Sequence, residues 1–179
     1  SYGATADTRP LTNSGTGGNL TVGALAVYPM HGYTTILDSG TGTLTLGGNV
    51  THGASGSGQS RLSGTLGLGA APRTFTVGLG ESFDDMVINA TLVGDAGGTL
   101  VKAGAGRLVL SGDSGSGYTG PTTVTLGVLS IQHGGALGTS ASGTTVASNN
   151  TALELQGGIT VAAEALTLYD TETGSLGPA

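Results

Sequence analysis

The chain has no cysteine and no tryptophan, and only 9% of its residues are charged. The first absence excludes a disulfide framework, and with 4% aromatic residues a core of bulky rings is excluded as well. Long apolar runs are also missing, since none approaches the roughly 20 residues of a membrane span. Positive charge is scarce: five Lys and Arg are spread along a chain of formal net charge -6. Such a chain offers no phosphate-binding stripe, which argues against a nucleic-acid partner. Neither a signal peptide nor an initiator Met opens the sequence, which is therefore expected to be a processed piece of something longer.

What is abundant is glycine, 36 of 179 residues. Collagen and disorder both fit that composition, but no Gly-X-Y period exists and Leu and Val recur in alternating pairs, which signals strands. The pairs form a series: Leu20 with Val22, Leu44 with Leu46, Leu66 with Leu68, Met86 with Ile88, Leu108 with Leu110, Leu129 with Ile131, and Leu153 with Leu155. A second, less regular series falls between them at Phe75 and Val77, Leu100, Val124 and Leu126, Val146, and Leu166 and Leu168. Gly18, Gly42, Gly64, Gly106 and Gly127 stand two places before the first member of a pair, where a tight turn calls for positive φ.

A repeat of about 22 residues with strands this short predicts a parallel β-solenoid, because no single run buries its apolar face unless a similar one lies beside it. The expected fold is all-β, a parallel β-helix of about eight coils of roughly 22 residues. At ~4.8 Å per layer this makes a rod roughly 40 Å long. The whole chain, 1–179, reads as one such module. Residues 1–18 are expected to be an irregular lead-in. Residues 27–37 are expected to be a loop excursion, because Tyr28, Pro29, Met30, His31 and Tyr33 collect there. Helix is nearly absent: only Ala162 to Leu168 has helical propensity, and Ile159, Val161, Leu166 and Leu168 suit strands better.

The motif GGTLVKAGAGRLVLSGDSGSGYTGPTTVTLGVLSI, Gly97–Ile131, closely resembles the autotransporter-associated β-strand repeat, also called the passenger-associated transport repeat. The resemblance is carried by Lys102, Gly104, Gly106, Leu108, Leu110, Ser111, Gly112, Tyr118, Gly120, Thr122, Thr123 and Val124. Looser similarity continues from His133 to Leu168 and fades before Gly40. The polar loop Asp113–Gly117 is longer than the family's, and Tyr28–Tyr33 has no counterpart in it. The resemblance implies a right-handed coil, export, and display on or beyond a bacterial cell surface.

Candidate chemistry is thin. Asp84 and Asp85 are adjacent, so on a strand they point to opposite faces and make poor partners for one glycosidic bond. A solvated turn is the expected setting for both. Lys102 and Arg107 bracket a glycine turn and read as solubilising edge residues. His31, His52 and His133 lack ligand spacing, and Gly104-Ala105-Gly106 is too short for a dinucleotide fingerprint with no helix after it. No catalytic, cofactor-binding or metal-binding residue is assigned, and no cofactor is implied. Threonine holds the outward face of the series for only about two layers, too few for an ice-matching ladder. Asn19, Asn49, Asn89 and Asn149 each sit in an Asn-x-Thr sequon.

The function expected is a non-catalytic extracellular rod, structural or adhesive, that stacks end to end into an array or filament. Its partners would be copies of itself or adjacent repeats, head to tail. The Tyr28–Tyr33 loop is the candidate contact for host or matrix glycans or surface proteins. The competing class is a β-helix carbohydrate-active enzyme or carbohydrate-binding module. An enzyme requires a groove with converging charged groups, an adhesin an exposed loop with clustered aromatics, and a scaffold an even surface.

Overall fold

A computed structural model describes residues 11–12, 18–54, 56–94 and 96–169. The chain runs through β1 (Leu11–Thr12), β2 (Leu20–Val22) and β3 (Leu25–Val27), then β4 (Thr34–Leu46) and β5 (Val50–His52), and then β6 (Gln59–Gly67) and β7 (Arg73–Val77). It continues through β8 (Met86–Ile88), β9 (Thr91–Val93) and β10 (Leu100–Ala103), then β11 (Arg107–Leu110) and β12 (Thr122–Val124). The last coils are β13 (Gly127–Ile131) with β14 (Thr144–Val146), and β15 (Thr151–Leu155) with β16 (Leu166–Leu168). Every registered pair is parallel, so each strand lies on the strand one coil earlier. The fold is a parallel β-solenoid.

One sheet runs β1-β4-β6-β8-β11-β13-β15, with β2 on β4 and β9 on β6; the other runs β16-β14-β12-β10-β7-β5-β3. The long strands β4 and β6 turn a corner, with a register break between Asp38 and Thr43, so each serves two faces. The cross-section of the early coils therefore has three sides. Inward positions stack as columns. Leu62, Ile88, Leu110, Ile131 and Leu155 form one, and Val50, Phe75, Lys102, Val124, Val146 and Leu168 form another. The period-2 alternation of strands sends Met86, Ile88, Leu108, Leu110, Leu129 and Ile131 into one continuous apolar core.

Three expectations need correction. The second sheet has seven strands, which mark about six turns, fewer than the eight coils expected. The main Leu series is not one column: Leu66 stacks on Leu92, whereas Ile88 stacks on Leu62. The series changes face there because coil length is not constant. Val50 and Phe75 are register partners 25 positions apart and Phe75 and Lys102 are 27 apart, but Lys102 and Val124 are 22 apart. The difference arises at one corner, which takes residues 28–33, 53–58 and 78–85 in successive early coils but only 104–106 and 125–126 in later ones. The third correction concerns the ends of the pattern. The excursion expected over 27–37 is confined to 28–33, since Thr34 opens β4, and Leu11–Thr12 within the expected lead-in pairs with Leu37–Asp38. The rest of 1–17 lies outside the described residues.

Positive φ occurs at Gly64 and Gly127, as expected, but not at Gly42 or Gly106. Gly106 is required for a different reason: a Cβ there would run into the backbone carbonyl of Gly78 and the Asp85 carboxylate.

From β11 onward the third side of the coil is a loop, and Tyr118 fills the space behind it. Its side chain is fully buried. The hydroxyl donates to the Pro121 carbonyl at 2.5 Å and accepts from the Leu100 N–H at 2.9 Å. Gly120 packs beside the ring, where a Cβ would approach to 2.9 Å, so Tyr-x-Gly is a steric pair as well as a motif. Replacing Tyr118 with Phe is expected to cost about 1 kcal/mol, the net value of one buried hydrogen bond, since the Pro121 carbonyl keeps the Leu100 N–H at 3.0 Å. Urea unfolding checks it, and an unchanged midpoint would remove the hydroxyl from the account.

Candidate functional site

The variable corner gathers Glu81, Asp84 and Asp85, with Lys102 and Arg107 flanking it. Asp85 is fully buried, not solvated as expected. Its Oδ1 accepts from Gly80 N–H and its Oδ2 from Arg107 N–H, both at 2.7 Å, so the turns of two successive coils are tied to one carboxylate. Asp84 faces the other way, as alternation requires, and its Oδ1 lies 3.0 Å from Arg107 Nε. That contact is an ion pair lying off the N–H axis: both atoms are buried and neither has a directed hydrogen bond.

Lys102 and Arg107 are not edge residues. Lys102 points into the core column between Phe75 and Val124, with no exposed surface, and its ammonium donates to the carbonyls of Ala103, Gly104 and Leu126 at 2.7–3.0 Å. Burial pulls its pKa down to about 8, against the field of Asp85. The three carbonyls belong to two coils, so one side chain closes the shortened corner of both. Arg107 runs along the outside of β11 and reaches Glu154 on β15, two strands further along the sheet, where Nη2 donates to Oε2. The Glu154 hydrogen bond raises its pKa further. Its guanidinium also lies over the ring of Phe83, 4.7 Å from the centroid. One arginine thus links the coils of Asp84, Arg107 and Glu154.

Inside the corner, His52 Nδ1 and Ser60 Oγ are 2.9 Å apart and both residues are buried. A Ser-His pair near a buried Asp invites comparison with nucleophilic catalysis. Here the serine has no exposed surface, so no substrate reaches it. The pair is a satisfied polar contact inside the coil. Burial lowers the pKa of His52 below 6.5, with Asp85 opposing. The unfolded chain therefore binds a proton that the folded chain resists, and stability contributed by neutral His52 is complete above about pH 6.5 and declines as pH falls below it. A His52→Gln variant should show a shallower loss of stability between pH 7.5 and 5 than the parent in urea titrations. Identical slopes would contradict the assignment.

The other singled-out residues stay apart. His31 lies 3.9 Å from Glu81, His133 lies 3.7 Å from Asp113, and neither approaches His52. Among the described residues no group of three His, Cys, Asp or Glu is placed to hold a metal ion. No helix among them is long and apolar enough to cross a membrane. The sequon asparagines are used between coils: Asn19, Asn49 and Asn89 accept through their side-chain oxygens from Thr43 N–H, Thr74 N–H and the Ser63 hydroxyl.

The inward Lys102, the glycine corner, the Leu108 and Leu110 rung and the Tyr118–Gly120 pair make one coil with a recognisable pattern. Residues 100–131 match the passenger-associated-transport-repeat family. No curated protein and no solved structure matches the chain. The repeat occupies β10 to β13, the stretch where the coil settles to its shorter length. Its lysine and glycines have a physical reading here: the ammonium gathers the carbonyls of a corner too tight for them to be paired by backbone.

The exposed large apolar side chains fall in two places. Leu79, Leu126, Tyr28, Met30 and Phe83 lie on the variable corner, and Leu20, Leu155, Leu166, Leu168 and Tyr169 lie in the first or last coils. The first coils also enclose a cavity of about 530 Å³, lined by Leu20, Val22, Leu25, Leu37 and Leu44 with Asn19, Asp38 and Thr43 at its rim. A second space of about 180 Å³ adjoins it at Leu25 and Leu37.

Proposed function

We propose that this chain is a non-catalytic structural segment of an extracellular or cell-surface protein, and that its coils extend end to end with those of adjacent repeats or further copies. The repeat at 100–131 and the solenoid fit a surface passenger. The observation that carries end-to-end extension is the state of the first and last described coils. At one, Leu155, Leu166 and Leu168 occupy rung positions yet are 50–68% exposed. At the other, an apolar cavity opens beneath Leu20 and Leu25. A terminal coil of a solenoid has backbone groups without a neighbour, and apolar rungs there favour a further coil. With strands β3 and β16 at the two edges of one parallel sheet, a second copy continues that sheet without changing direction.

Sedimentation velocity over a hundredfold range of concentration tests this. The expected result is a mass that rises with concentration. A single monomeric species throughout would overturn end-to-end extension. Two features weigh against the alternative of a carbohydrate-active enzyme: the His52–Ser60 pair is enclosed, and Asp84 and Asp85 face opposite ways.

A further inference from the structure

We propose that the corner carrying Tyr28 and Phe83 is a binding platform for an uncharged glycan. The proposal rests on the surface-rod reading for its extracellular setting and goes beyond it in assigning a ligand. Away from the first and last coils, the exposed large apolar side chains of the described residues are Leu79, Phe83 and Leu126, all on this corner, and Tyr28 and Met30 of the first coil extend the same surface. Contiguous exposed apolar surface on an otherwise polar rod marks a contact site.

The platform is built by two devices. In the second coil the described residues of the corner are Gly53, Ala54, Gly56, Ser57 and Gly58, nearly without side chains. Tyr28 from the coil before settles onto Gly53, and His31 onto Gly56; a Cβ at either glycine would collide with the ring above it. Tyr28 is nevertheless 68% exposed, so its ring is supported by backbone and open to solvent. Phe83, from the coil after, has the Arg107 guanidinium over its ring and is 76% exposed. Tyr28 and Phe83 thus stand two coils apart, roughly 10 Å along the axis, on a surface that Ser82 stitches to Ser57 at 2.8 Å.

The chemistry around the rings selects the ligand. The C–H face of a pyranose packs on an aromatic ring, and its hydroxyls donate to carboxylates. Glu81 is 70% exposed beside His31, and Asp84 pairs with the Arg107 guanidinium that covers Phe83. Carboxylates repel sulfated or uronic glycans and accept from neutral ones, and the net charge of -6 acts in the same sense. Arg107, the cation over the Phe83 ring, is held by Asp84 and Glu154 and has no charge to spare for an anion.

The test is isothermal titration of the whole chain with cellohexaose, laminarihexaose, mannohexaose and chitohexaose, and with heparin. Saturable binding to at least one neutral hexasaccharide is expected, weakened about tenfold or more by Tyr28→Ala and by Phe83→Ala. Gly53→Ala, which lifts the Tyr28 ring and leaves its chemistry intact, should weaken it too, while Tyr169→Ala at the far end should not. Unchanged melting temperatures would show that the variants fold. No binding to any of the four, binding indifferent to the Tyr28 and Phe83 variants, or tighter binding to heparin would each overturn the proposal. Sedimentation of the same variants separates the two readings: glycan binding lost with assembly kept, or the reverse, condemns one and leaves the other standing.

Discussion

Replacing Lys102 with Met should destabilise the solenoid by on the order of 3 kcal/mol. Two effects oppose each other at this position. Burying an ammonium is costly, and burial has already lowered its pKa to about 8; Met relieves that cost and keeps most of the volume. Against this, the carbonyls of Ala103, Gly104 and Leu126 all lose a charged donor, at roughly 1–3 kcal/mol for each group left unsatisfied. The buried Asp85 also loses a compensating charge. The carbonyls are the larger sum. Equilibrium urea unfolding of the two chains measures the difference, and a Met variant as stable as the parent would mean that the ammonium is a burden the corner tolerates.

Lys102 also shows where reading from sequence stops. Alternation from Leu100 places position 102 inward, in line with Phe75 and Val124. That signal was present in the spacing, but a lysine is ordinarily a surface residue, and only its carbonyl partners make it an interior one. His52 and Ser60 are the same case: both sit at inward positions of strands and are satisfied by each other. The rungs Leu108, Leu110, Leu129 and Ile131 were legible because period 2 and the coil repeat agree there. The earlier columns were not, because a corner of six to eight residues displaces each strand relative to the next and moves the series from one face to another. The link from Arg107 to Glu154 spans 47 positions, and nothing in local spacing points to it. For the platform, the clustering of Tyr28 to Tyr33 was visible; that Phe83 shares the same corner required the coils to be stacked.

Leu108→Ala is expected to cost about 2–5 kcal/mol, and the loss should not stay in one coil. Leu108 has no exposed surface and is in register with Met86 before it and Leu129 after it. In a stack stabilised by nearest-neighbour contacts, a cavity in one layer weakens both interfaces it shares. Amide hydrogen exchange should therefore speed up in β8 and β13 as well as β11, with little change in β3 or β5 at the other end. Uniform acceleration along the chain would indicate a single global core, and confinement to β11 would indicate coils that do not support one another.

The central claim, a rod that grows through unlike ends, is tested most directly by blocking each end separately. Leu20→Lys places a charge at the mouth of the first coil, and Leu168→Lys places one on the last strand, in both cases on side chains that are more than half exposed. Each variant alone lacks one functional end and should sediment as a monomer. Mixed in equal amounts, they should form dimers through the one intact junction and nothing longer. Continued growth of either variant alone, or monomers in the mixture, would contradict head-to-tail stacking.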